Sequence, residues 1–275
     1  MKPIPFSKMS GTGNDFIIID NRDRIVENDG LAEFIRKVCR RKMSVGADGL
    51  ILIESSDKAD FRWRFFNSDG SPAEMCGNGA RCAARFAYLS GIAAENLSFE
   101  TEAGIIKGQV KNGGAKVKIP DPTDLRLDYS LDLENGPLTV SSVNTGVPHV
   151  VVMMDSVEAV DVFGLGREIR YYGAFAPSGT NVNFICRQKS GQLAIRTYER
   201  GVENETLACG TGAIASALVA SCKTNWTSPI SLVTRSEELL TIHFRESNGV
   251  FTDVYLEGDA RMIYIAELRE DAWKS

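Results

Sequence analysis

Two stretches of this sequence put a cysteine at the head of a glycine-containing, alanine-rich run: Cys76-Gly77-Asn78-Gly79-Ala80 and Cys209-Gly210-Thr211-Gly212-Ala213. Each reads as the opening of a helix. The first turn of a helix carries unpaired N–H groups and the positive end of the macrodipole. A thiol placed there is stabilised as thiolate, and the glycines leave neighbouring N–H groups open to cradle a carboxylate. Two such sites acting on one amino acid have a direct use. One thiolate removes the α-proton from one face and the other thiol returns a proton to the opposite face, inverting the carbon. Helix-end N–H groups would stabilise the carboxylate as it gains enediolate character. A single cysteine of this kind is as easily a small packing residue; a pair in matched context favours chemistry.

The context is matched. Each cysteine follows a strand-like segment with an arginine (Arg64, Arg196) and a polar loop of about ten residues, and each precedes an alanine-rich run. Asn14-Asp15-Phe16-Ile17 against Asn183-Phe184-Ile185 gives a second echo. A period of 133 positions in two copies is too long for a solenoid and predicts two similar domains with equivalent loops.

Other candidates are weaker. Cys39, Cys82 and Cys222 fall in helix-like stretches and Cys186 ends a strand; all four read as core. Gly11-Thr12-Gly13-Asn14-Asp15-Phe16 lacks the third glycine of a dinucleotide fingerprint and leads into a strand, so that reading fails. Asn14 reads as an amide for a polar substrate or as a turn residue. His149, after Pro148, reads equally as a packed histidine or a site residue. Glu199-Arg200 is a surface pair or, given its closeness to Cys209, part of the site.

The elements that must position these residues alternate along the chain. Phe16–Asp20, Leu50–Glu54, Phe61–Phe66, Leu97–Thr101, Gly104–Val110 and Ala115–Ile119 read as strands, with Asn112-Gly113-Gly114 as a hairpin turn. Leu31–Arg41 reads as an amphipathic helix. Three prolines in residues 120–138 suggest a domain boundary. Beyond it, Val150–Met154, Val182–Cys186, Gln192–Tyr198, Leu232–Thr234, Leu239–Phe244, Val250–Glu257 and Met262–Leu268 read as strands, and Thr211–Ser221 as a helix.

Composition bounds the function classes. The 275 residues carry 31 basic and 36 acidic side chains, a net charge of −5, which gives no general attraction for phosphate backbones. The run Arg40-Arg41-Lys42 is too short to change that and reads as a solvated helix end. With 43% apolar and 24% charged residues the chain is of ordinary globular type, about two domains long. It opens on no signal-like segment, and no apolar run approaches the roughly 18 residues of a membrane span. A cytoplasmic protein with reduced thiols is expected, without nucleic-acid or membrane binding. Two histidines, and no cysteines two to four residues apart, predict no metal site.

Seven ordered blocks resemble the diaminopimelate epimerases, nearly end to end. They are Phe6-Ser7-Lys8-Met9-x-Gly11-x-Gly13-Asn14-Asp15-Phe16; Gly46-Ala47-Asp48-Gly49; Asn67-x-Asp69-Gly70-Ser71-x-Ala73-x-Met75-Cys76-Gly77-Asn78-Gly79-x-Arg81-Cys82; Thr145-Gly146-x-Pro148-His149; Gly179-Thr180-Asn181-Val182-Asn183-Phe184; Glu199-Arg200-Gly201; and Thr206-x-Ala208-Cys209-Gly210-Thr211-Gly212-Ala213. The resemblance implies an α+β fold of two similar lobes, each a mostly antiparallel curled sheet around a central helix, with the active site in the cleft between them. It implies an N-terminal lobe of residues 1–120, to which a C-terminal strand, 264–275, returns, and a second lobe of 121–263. It implies an isomerase of lysine and peptidoglycan precursor biosynthesis that interconverts LL- and meso-diaminopimelate with no cofactor, acting as a homodimer. Cys76 and Cys209 would be the acid/bases, supported by His149 and Glu199. Gly77, Asn78, Gly210 and Thr211 would hold the reacting end; Asn14, Asn67, Asn181 and Arg200 would hold the substrate's polar groups. The pattern departs at Val147, where the family often has Asn, and at Tyr172, where many members have His. The alternatives are a broader amino-acid racemase of the same fold, of acidic, proline or histidine type, and a thiol redox sensor.

Overall fold

The computed structural model describes residues 3–73, 75–224 and 226–274. The chain divides into two compact units, Met1–Val117 with Gly258–Ser275, and Lys118–Glu257.

The first unit runs β1 (Ile4–Gly11), β2 (Asn14–Asp20), α1 (Leu31–Val38), β3 (Gly49–Glu54), β4 (Phe61–Asn67), α2 (Gly77–Leu89), β5 (Asn96–Thr101), β6 (Gly104–Lys111) and β7 (Gly114–Lys118). The second runs β8 (Thr123–Leu133), β9 (Gly136–Asn144), β10 (Pro148–Met153), α3 (Val162–Arg170), β11 (Asn181–Arg187), β12 (Leu193–Glu199), β13 (Asn204–Thr206), α4 (Gly210–Lys223), β14 (Ile230–Val233), β15 (Leu239–Ser247) and β16 (Val250–Asp259). The last strand, β17 (Arg261–Leu268), pairs antiparallel with β1 from Ser10↔Arg261 to Ile4↔Leu268 and so belongs to the first unit. The divisions fall at 117/118 and 257/258, a few residues from the sequence-based boundaries at 120 and 264, and the returning strand starts at Arg261.

The two units share one wiring. β1–β2 is antiparallel, β2–β3 parallel across α1, β3–β4 antiparallel, β4–β5 parallel across α2, and β5–β6 antiparallel. β9–β10 is antiparallel, β10–β11 parallel across α3, β11–β12 antiparallel, β12–β14 parallel across α4, and β14–β15 antiparallel. The repeat read from the sequence is therefore a repeat of topology, mostly antiparallel with two parallel crossovers in each copy.

Alternation along the strands divides each core. Ile17, Ile19, Leu50 and Leu52 meet Leu31, Ile35 and Val38 of α1 on one face. On the other face a Cβ at Gly79 of α2 would lie 3.4 Å from Ile51 and 3.5 Å from Trp63. In the second unit Val150, Val152, Val182 and Phe184 meet Val162 and Ile169 of α3. α4 is buried from Gly212 to Ala220; a helix apolar all round is one enclosed by its own domain.

Some elements differ from the sequence reading. The helix at Leu31 ends at Val38, because the Gly46 and Ala47 N–H groups donate to the Val38 and Cys39 carbonyls and draw the chain away. Residues 120–138 are not a plain connector, since they contain β8. Asp124 (φ 56°) and Asp128 (φ 48°) take left-handed conformations and the register slips twice, which hides the strand's alternation. β1, β9, β13 and α3 are weakly marked in the sequence: β1 has few β-branched residues, β13 is three residues long, and α3 carries Gly164 and Gly166. Gly166 is required by packing, since a Cβ there would lie 2.5 Å from Tyr198. Cys222 is exposed in the last turn of α4 and Cys186 is half-buried at the end of β11, so neither is fully core. The echo of Asn14–Ile17 in Asn183–Ile185 does not survive: it would match β2 to β11, whereas β11 stands in the place of β3.

Candidate active site

Cys76 is the N-cap of α2 and Cys209 the N-cap of α4. Both have extended backbones, φ −145° and −124°, and each sulfur accepts from the N–H three residues on, Gly79 and Gly212, at 3.4 Å. A cysteine here does what serine or aspartate usually does at an N-cap, and its sulfur sits at the positive end of the helix. The cores treat their other cysteines differently: burial pushes the Cys39 and Cys82 thiols up to about 12, which keeps them protonated.

In the first unit Asn78, in the first turn of α2, donates to the Asn14 side-chain oxygen at 2.5 Å, and the Asn14 amide donates to Asp48 at 3.1 Å. Behind it lies a charged cluster. Arg41 bridges Asp15 (2.5 Å) and Asp48 (2.8 Å), and buried Lys8 pairs with Asp15 at 2.7 Å. Burial works against the Asp15 charge, but the hydrogen bonds of Arg41 and Lys8 outweigh it and hold the carboxyl below its ordinary range. Arg81, fully buried beneath the helix start, donates to the Asn78 oxygen (2.9 Å), the Thr12 hydroxyl (2.7 Å) and the Gly77 carbonyl (3.3 Å). Asn67 lies at the exposed end of β4, its amide donating to Ser71 at 3.1 Å. The structure thus ties Asn14 and Asn78 into one network and leaves Asn67 at the adjoining turn.

In the second unit Thr211 Oγ1 is 3.5 Å from the Cys209 sulfur, and the Thr211 carbonyl accepts from Thr145 at 3.1 Å, tying the turn before β10 to the head of α4. Asn181 donates to the Pro148 carbonyl (3.1 Å) and accepts from the Arg200 backbone N–H (2.9 Å). The Arg200 guanidinium reaches the Ser178 carbonyl at 3.4 Å. Glu199 ends β12 opposite Asn204 of β13. His149 is fully buried at the start of β10, and burial, with the Arg200 charge, pulls its pKa down to about 3. The ring is neutral at any physiological pH, so it offers a hydrogen bond rather than a mobile proton.

The sequence matches the diaminopimelate epimerase family over residues 6–122 and 141–263. The chain belongs to that family. A diaminopimelate epimerase of Aquifex aeolicus (strain VF5) is 47% identical over 97% of this chain and 98% of its own length. One from Hydrogenobaculum sp. (strain Y04AAS1) is 46% identical over 94% and 96%. Among solved structures, a phenazine biosynthesis protein of the PhzF family from Bacillus anthracis superposes with a TM-score of 0.76 over 98% of this chain and all of its own, at 16% identity, which speaks to the fold alone.

Against the family pattern, Val147 gives its carbonyl to the Thr145 N–H at 3.1 Å, and Tyr172 receives the Asp132 N–H on its hydroxyl at 3.3 Å. Tyr172 is therefore built into the contact between β8 and the end of α3. The reading of individual residues passed over Arg81, Asn183 and Thr197. Arg81 and Asn183 each leave a trace, a polar side chain inside an alanine-rich or apolar run within a motif block, whereas Thr197 sits unmarked in the strand-like run Gln192–Tyr198.

Proposed function

We propose that this epimerase-family chain interconverts LL- and meso-diaminopimelate at one α-carbon by a two-thiol proton transfer, without pyridoxal phosphate. One thiolate takes the α-proton, the bond's electron pair passes into the carboxylate as enediolate, and the second cysteine's S–H protonates the opposite face. The exchange leaves the first cysteine protonated and the second as thiolate, ready for the reverse direction. The observation that carries this reading is the twin N-cap geometry: the same sulfur-to-glycine contact at two helix starts in two units of one topology. Helix-end N–H groups at Gly77–Asn78 and Gly210–Thr211 stabilise the developing charge. Arg200 suits a carboxylate through its forked donors. Asn14, Asn67 and Asn181 are assigned to the substrate's remaining polar groups, and His149 and Glu199 to support of the thiols. Chiral analysis of products after incubation with LL-diaminopimelate and no added cofactor tests the reading; LL substrate recovered unchanged overturns it.

The reading places the chain in the cytoplasm, where thiols stay reduced. None of the described helices is long and apolar enough to cross a membrane. It also makes the chain a homodimer. β17 supports this: Ile263, Tyr264 and Ile265 form an exposed apolar stretch around the bulge in its pairing with β1, and Ile265 keeps 73% of its surface.

A further inference from the structure

Three buried polar side chains of the second unit stand where the first unit has apolar ones. Arg64 on β4 and Arg196 on β12 are counterparts, each paired with a carboxylate. Counting from them through the strand registers, Thr197 matches Phe65, Asn183 matches Ile51, and His149 matches Phe16. All six are buried. The helices agree: a Cβ on Gly79 would meet Ile51, and one on Gly212 would meet Asn183. The first unit shows that these sheet positions pack with apolar side chains. The polar trio is therefore not a demand of the fold, and burying it costs free energy unless every group is paired.

The hydrogen bonds determine the state of the ring. The Asn183 amide nitrogen is 3.0 Å from the Val150 carbonyl, which can only accept, and its oxygen receives the Thr197 hydroxyl at 3.0 Å. The amide orientation is thereby fixed. The same nitrogen lies 3.1 Å from His149 Nδ1. With one amide hydrogen on Val150, the other points at Nδ1, so Nδ1 must accept and the ring proton must sit on Nε2. His149 Nε2 is fully buried and has no partner among the described residues. Asn183 itself presses against the head of α4, its oxygen 2.2 Å from where a Gly212 Cβ would be.

We propose that Asn183 is a positioning residue: it holds His149 as the Nε2–H tautomer, so that the ring offers one fixed donor to the carboxylate of an amino acid bound at the first turn of α4. The ligand assignment rests on the two-thiol reading above. A neutral donor suits a site that also holds a thiolate, because it stabilises the carboxylate's growing charge without an acidic proton that would quench the base. Thr197 completes the device by fixing the amide that fixes the ring.

The test is long-range ¹H–¹⁵N NMR of the full chain with ¹⁵N-labelled histidine. Only two histidines are present, and His243→Asn identifies the surface one, paired with Glu257. The native spectrum at pH 7 should show His149 with a bare Nδ1 and a protonated Nε2. Asn183→Asp cannot donate and should move the proton to Nδ1. Asn183→Leu, which imitates the apolar first unit and guards against a misfolded Asp variant, should release the ring to both tautomers. Turnover of LL-diaminopimelate should fall about 10²-fold in kcat in both, with KM changed less, the usual effect of removing one preorganised donor. A native ring protonated at Nδ1, an Nε2–H tautomer that persists in both variants, or a lost tautomer with unchanged kcat each overturns the proposal. A native chain with no epimerase activity overturns the two-thiol reading and the ligand assignment, whereas the spectra decide the tautomer lock on their own.

Discussion

Cys76 and Cys209 occupy the same position in two copies of one topology, each capping its helix with a sulfur 3.4 Å from the backbone nitrogen of the third residue on. On the two-thiol reading an N-cap thiol serves structure and chemistry at once. It satisfies an orphan N–H, and that N–H with the helix dipole would stabilise the thiolate proposed as base.

The two roles separate by substitution. Serine is a better N-cap than cysteine but a far weaker base at neutral pH. Cys76→Ser and Cys209→Ser should each keep or raise the melting temperature and lose epimerisation by at least the 10²–10⁴-fold of one acid/base group. Solvent deuterium should still wash into one stereoisomer through the remaining thiol. Chiral chromatography and mass spectrometry give both readouts; near-native epimerisation by either variant would establish a one-base mechanism instead.

The helix-head glycines are equivalent in place but not in surroundings. A Cβ on Gly79 makes only ordinary contacts, the nearest at 3.4 Å, whereas one on Gly212 lies 2.2 Å from the Asn183 oxygen. Gly79→Ala should be tolerated and gain up to about 1 kcal/mol from helix propensity. Gly212→Ala must displace the buried Asn183 amide and should cost about 1–3 kcal/mol, with a loss of turnover. Denaturant melts of the two variants side by side check this, and equal stabilities would show that Asn183 yields freely.

Much of this was legible in the sequence because chemistry and repetition mark it. Two Cys-Gly-x-Gly-Ala runs after Arg-bearing strands announce twin domains, and Arg64 and Arg196 prove to be counterparts. Strands such as Leu50–Glu54 declare themselves by unbroken apolar content. Less legible was whatever depends on partners far along the chain. β1 is a strand because β2 and β17 hold it on either side, and β8 is disguised by two aspartates in left-handed conformations. At the site, Asn14 was visible as a polar residue before an apolar strand. Nothing local could say that Asn183 fixes a histidine 34 positions away, because the tautomer follows from three simultaneous contacts.

The exposed apolar stretch of β17 gives a third expectation. Ile263 and Ile265 are 53% and 73% exposed, and a homodimer would cover them. Ile265→Asp should shift the oligomer toward monomer in light scattering at micromolar concentration, while Lys58→Ala, at an exposed position away from that strand, should not. A native chain that is monomeric at every concentration would remove β17 from consideration as an interface.

His149 makes the stability of the second unit depend on pH in a defined direction. Burial and the Arg200 charge hold its folded pKa at about 3, against an ordinary 6.5. Between those values the unfolded chain binds a proton that the folded chain refuses. Its contribution is therefore fully present above pH 6.5 and is lost as pH falls through the window toward 3, at up to about 1.4 kcal/mol per pH unit. Asp15, whose carboxyl is held below its ordinary 3.8 despite burial by Arg41 and Lys8, adds its own loss only beneath that value, so the two are separable. Denaturant melts from pH 7 to 4 should show the slope in the native chain. The double variant His149→Phe/Asn183→Ile, which writes the first unit's apolar pair into the second, should flatten it, whatever its absolute stability. If the double variant keeps the native slope, another group titrates there, and His149 is protonated in the folded protein far more readily than its burial implies.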